Sequence, residues 1–179
     1  MKKQIILLFF TILSLSLNAQ SYLGFVTKQV NFRTEANTNC SIISSLTGGT
    51  ALFVISKEKI NGFYYVLNIE TNKEGFVHSS FVHIDKPLPK NENGIFTPVG
   101  KTSSSSPIIQ IHNNTNLTLT LTLNSERYTF TPQERKTLNL SSGSYNYRAS
   151  APGVLPDYGT ENMRSNYEYE WVFYVSTRP

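Results

Sequence analysis

With 179 residues, a formal net charge of +4 and only 16% charged side chains, the chain is long enough for one domain or two and too weakly charged to hold a polyphosphate. Two of its 16 basic residues are Lys2 and Lys3; without them 14 stand against 12 acidic ones, and Arg135-Lys136 is the longest remaining run of like charge. Nucleic acid is therefore excluded as an expected partner. The single cysteine, Cys40, forms no internal disulfide, so stability must come from packing.

Lys2 and Lys3 precede an apolar stretch from Ile5 to Leu17 and the small-residue segment Leu17-Asn18-Ala19. This is the pattern of a secretory signal peptide over residues 1–19. The apolar stretch is shorter than the ~20 residues of a bilayer-spanning helix, and Thr11, Ser14 and Ser16 interrupt it. Cleavage is expected after Ala19. With no cysteine there to carry a lipid, the mature chain is expected to be soluble and exported, without a transmembrane anchor, and to reside in the periplasm, at the cell surface or outside the cell.

Between residues 20 and 85, short apolar or alternating runs recur with turn residues between them, and no segment has helical spacing. Strands are predicted at Tyr22-Thr27, Gln29-Arg33, Ala51-Lys57, Phe63-Asn68, Glu74-His78 and Val82-Ile84. So many short strands in about sixty residues imply a small barrel. The segment 86–106 holds Pro87, Pro89, Pro98, Asn91-Glu92-Asn93-Gly94 and a serine tract. It reads as an extended, solvated linker.

In residues 107–179 the period-2 signal is strongest. Leu117, Leu119, Leu121 and Leu123 alternate with Thr118, Thr120 and Thr122, giving one apolar and one hydroxylated face. Tyr167, Tyr169, Trp171, Phe173 and Val175 repeat the pattern, opposite Glu168 and Glu170. Further strands are predicted at Arg127-Phe130, Lys136-Leu140 and Ser144-Ala149, joined by short turns, which makes a small antiparallel sandwich or meander. Ala151 to Asn166, with Pro152, Gly153, Pro156 and Gly159, reads as an irregular surface loop. The fold class is thus all-β, in two parts.

The run Val30-Asn31-Phe32-Arg33-Thr34-Glu35-Ala36, then Ile42-Ile43-Ser44-Ser45-Leu46, Gly48-Gly49-Thr50, Asn61-Gly62-Phe63-Tyr64-Tyr65-Val66 and Gly75-Phe76-Val77-His78, resembles the bacterial SH3-like (SH3b) domain over residues 24–84. That resemblance implies a non-catalytic targeting or protein-binding module, often found in proteins that act on peptidoglycan. Gly75 suits a close strand approach. Arg33 is expected to hold the turn after Asn31 through loop carbonyls.

Cys40, His78 and His83 are the candidates for cysteine–histidine hydrolysis, but a nucleophilic thiol needs an adjacent base and an electropositive setting, and Cys40 falls in the Asn37-Thr38-Asn39 turn. The histidines, with His112, lack the further ligands of a zinc site, so neither metal nor cofactor is expected. The aromatic residues Phe63, Tyr64, Tyr65 and Phe76 are the candidate ligand-binding set. Alternation forbids that the first three all point inward, and an interface with the second domain would compete for the same surface. The expectation is an exported, non-enzymatic adaptor of the bacterial envelope that binds peptidoglycan peptide or an envelope protein. A cell-wall hydrolase or its regulator, using Cys40 or the 151–166 loop, is one alternative. A structural component assembling through an open edge at Leu117–Leu123 is the other.

Overall fold

Period-2 alternation in the first half separates an inner from an outer face, and the two faces have different partners. The computed structural model describes residues 20–175, so the signal-peptide expectation lies outside the described residues. Seven strands, β1 (Tyr22–Val26), β2 (Val30–Arg33), β3 (Ile42–Leu46), β4 (Ala51–Val54), β5 (Phe63–Asn68), β6 (Lys73–His78) and β7 (Val82–Pro87), form one sheet in the order β3-β2-β6-β5-β4-β1-β7. A 3-10 turn, Ser79–Phe81, precedes β7. Inward-facing Val26, Phe32, Leu52, Val54, Val66 and Val77 form the barrel core.

Gly75 is the tightest point of this wrap. A Cβ there would lie 2.5 Å from the Arg33 carbonyl and 2.7 Å from both Phe32 and Ile43. Only glycine lets β6 pass so close to β2. β3 was not expected from the sequence, because its Ser44-Ser45 pair interrupts the apolar pattern.

The second half is a sandwich of eight strands: β8 (Thr97–Lys101), β9 (Ile108–Asn113), β10 (Leu119–Leu123), β11 (Glu126–Phe130), β12 (Arg135–Asn139), β13 (Gly143–Ser150), β14 (Asp157–Met163) and β15 (Tyr167–Phe173). One sheet has the order β11-β10-β13-β14, the other β12-β9-β15-β8. The leucines of β10 pack with Ile109, Ile111, Phe130, Tyr169 and Phe173 in the core between the sheets.

Three expectations are corrected. Residues 86–106 are not a solvated linker throughout: β8 pairs with β15, and Leu88 and Phe96 are buried. Residues 151–166 are not all loop, because β14 pairs with β13 along its length and buries Tyr158, Gly159 and Met163. The Leu117–Leu123 strand is not an open edge: β10 lies between β11 and β13. The connections also cross between sheets, with β12 leaving β11 to pair with β9, and β9 running parallel to β15. Of the two arrangements expected, the sandwich is the one formed.

The hydroxylated face of β10 is not turned to solvent. With Arg148 and Tyr158 it packs on the outer face of the barrel, where Phe53, Leu67, Leu88 and Tyr158 form a third apolar cluster. Phe53 and Tyr158 meet edge to face, with centroids 5.5 Å apart. The Tyr158 hydroxyl donates to the Leu88 carbonyl at 2.8 Å, and Asn72 Nδ2 donates to Thr120 Oγ1 at 3.1 Å. Burying each large side chain of such a cluster is worth about 1.5–3 kcal/mol, so the two halves form a firm joint.

Candidate functional site

The β5–β6 hairpin carries the four candidate aromatics on two faces. Tyr64 lies opposite Val77 and packs against the barrel core. Phe63 lies opposite His78 and Tyr65 opposite Phe76, so these four share the outer face. Strand alternation thus removes Tyr64 from the set and adds His78 to it.

That outer face divides along its length. At its inner end Tyr65 stacks on Phe76 with centroids 5.0 Å apart, and its hydroxyl donates to the Glu74 carboxylate. Glu74 in turn receives Arg127 and Arg148 from the sandwich. Burial first, and then the Glu74 carboxylate that accepts its hydrogen bond, push the Tyr65 hydroxyl up to about 12. Tyr65 therefore serves the joint between the two halves.

At the other end a groove of about 390 Å³ opens between β5–β6 and β2–β3. Its floor is Phe63, His78 and Phe81, stacked edge to face with centroid separations of 5.1 and 6.0 Å. Asn31, Arg33 and Ser45 form its wall. His78 Nδ1 lies 2.8 Å from Ser80 Oγ, which orients the ring. Lys28 Nζ stands 5.0 Å from the Phe81 ring centre. No aspartate or glutamate lines the groove, so it combines an aromatic floor with a cationic rim and amide and hydroxyl groups.

Arg33 takes the role its position implied: Nη1 donates to the carbonyls of Thr38 and Cys40 at 2.9 and 3.2 Å. It fixes the loop that walls the groove. Cys40 Sγ lies 3.3 Å from the Glu35 carbonyl and 3.2 Å from that of Asn37, while His78 faces Phe63, Phe81 and Ser80 instead. The thiol and the imidazole are thus not arranged as nucleophile and base. Among the described residues no three or more histidine, cysteine or acidic side chains converge on a metal position.

Of the candidates named from sequence, the structure brings Phe63 to the groove, takes Tyr65 and Phe76 toward the joint and turns Tyr64 inward. His78, Phe81 and Ser45 were missed as groove residues. For His78 the signal was present, since it alternates with Phe76 on the strand facing Phe63 and Tyr65.

Residues 28–83 match the family description of the bacterial SH3 domain. No curated protein and no solved structure matches the chain. The fifteen strands, with no α-helix among the described residues, are the all-β architecture expected, and the matched segment runs from just before β2 into β7. The barrel is therefore a bacterial SH3 domain, and the chain an SH3b-domain protein.

Proposed function

We propose that this protein is an exported, non-catalytic adaptor of the bacterial envelope whose SH3 groove takes a carboxylate-bearing cell-wall stem peptide. The observation that supports this reading is the composition of the groove: Phe63, His78 and Phe81 form its floor, Lys28 and Arg33 stand beside it, and no carboxylate lines it. Aromatic faces cover the aliphatic parts of a short peptide, the Asn31 and Ser45 side chains hydrogen-bond its backbone, and the cations favour its free carboxylates. Such a peptide is short and acidic, as a groove of this size and charge requires.

A hydrolase reading finds no support in the placement of Cys40, and assembly through β10 loses its basis because that strand is internal. An SH3-domain adaptor needs a second point of attachment, and the sandwich is the part of the chain that can supply one. Titration of the isotope-labelled protein with a soluble muropeptide tests the groove. Amide shifts should concentrate at Asn31, Ser45, Phe63, His78 and Phe81; shifts confined to the sandwich would refute the assignment.

A further inference from the structure

A cavity of about 720 Å³ lies on the sandwich, far along the chain from the SH3 groove. Its lining includes the unbroken run of residues 170–175. Consecutive strand residues point to opposite faces, so a cavity that touches six in a row runs along the edge of the strand and not over one face. The ladder explains why that edge is open. β15 is paired with β9 as far as Phe173, whereas β8 accompanies it only from Lys101 opposite Tyr167 to Thr97 opposite Glu170. Before Thr97 the chain leaves the sheet: the amides of Ile95 and Phe96 donate to Glu161 on β14, at 2.8 and 3.1 Å.

The direction of the free groups follows from the peptide geometry. The Asn114 N–H donates to the Phe173 carbonyl at 2.9 Å, on the β9 side. A trans peptide points its N–H away from its C=O, so the Tyr174 N–H faces the gap. Alternation along an extended strand directs the N–H and C=O of Val172 the same way. The far wall is apolar, with Val154 and Leu155, and Leu155 is 48% exposed and Tyr174 69%. Among the described residues, Asp157 and Glu170 are the charged side chains of the lining, and Glu170 also borders a neighbouring cleft with His112, Arg135 and Lys136. Burial raises the Asp157 carboxyl above its ordinary value, while Asn91 Nδ2 donates to it at 3.2 Å.

We propose that the open edge of β15 beyond Glu170 is a strand-addition site for a partner protein, taking an extended segment in which an apolar residue is flanked by lysine or arginine. The segment continues the sheet where β8 leaves it, hydrogen-bonds Val172 and Tyr174, places its apolar side chain against Val154 and Leu155, and sets its cations beside Asp157 and Glu170. This site has the opposite charge to the SH3 groove and does not depend on it.

The test uses the purified mature protein and a fluorescent seven-residue peptide alternating valine with lysine, followed by anisotropy. The expected result is saturable binding, weakened at least ten-fold when lysine is replaced by glutamate, when alternate peptide amides are N-methylated, or in Tyr174→Pro protein. Asp157→Asn/Glu170→Gln should lose the preference for lysine while keeping the sensitivity to N-methylation. No binding of the lysine peptide, or equal binding of its N-methylated form, would overturn the proposal. Concentration-dependent self-association in sedimentation that Tyr174→Pro abolishes would assign the edge to a second copy of the chain and overturn it equally.

Discussion

Glu74 is the residue on which the relation between the two halves turns. Its side chain is 11% exposed and accepts from Arg127, Arg148 and the Tyr65 hydroxyl, while the Arg148 side chain is 13% exposed. Removing one partner of a pair so enclosed leaves an unpaired buried charge. Glu74→Gln should therefore destabilise the protein by about 3 kcal/mol in urea unfolding, more than Glu58→Gln on the exposed surface. Tyr65 adds a pH dependence with a definite sign. Its folded-state value of about 12 lies above the ordinary 10, so between these values the unfolded chain binds fewer protons than the folded one. Its contribution is complete below pH 10 and falls as pH rises toward 12. Unfolding followed across that window should show a steeper loss for the native protein than for Tyr65→Phe.

At the scale of the element, the closest approach in the barrel is the crossing of β6 over β2 at Gly75. The added methyl of Gly75→Ala would meet the Arg33 backbone and the Phe32 ring, and overpacking of this kind costs about 1–3 kcal/mol. Because the same crossing sets the wall of the groove, Gly75→Ala should also weaken peptide binding, measurable by the muropeptide titration. Legibility in the sequence followed the same physical lines. β10 and β15 were plain because strict alternation reports one buried face. β14 was not, because its Asp157, Thr160, Glu161 and Asn162 are polar and it buries only Tyr158, Gly159 and Met163. β8 was hidden because all five of its residues are exposed and it includes Pro98; a strand held by backbone pairing alone leaves no apolar period. Of the candidate site, Phe63 was legible as an aromatic on a strand. Which of its neighbours share the groove depends on the Phe63–His78 register and the β2–β3 wall, neither of which local spacing fixes.

For the whole molecule, the joint makes one cooperative unit of two sheets systems that sequence separates by a proline-rich stretch. Tyr158 is central to it, packed on Phe53 and bonded through its hydroxyl to the Leu88 carbonyl. The native protein should unfold in a single calorimetric transition, and Tyr158→Ala should resolve it into two, because the apolar contact that couples the halves is lost. A joint of this kind presents the SH3 groove and the sandwich in a fixed relation, which suits an adaptor that holds a cell-wall ligand with one half and leaves the other for a protein partner. The measurement that bears most directly on this account is retention on insoluble peptidoglycan. Native protein should co-sediment with it. Ser45→Trp, which places an indole in the groove from an exposed position on β3, should remain in the supernatant while keeping its native unfolding transition. Equal retention of the folded Ser45→Trp protein, or no retention of the native one, would contradict the assignment of the groove.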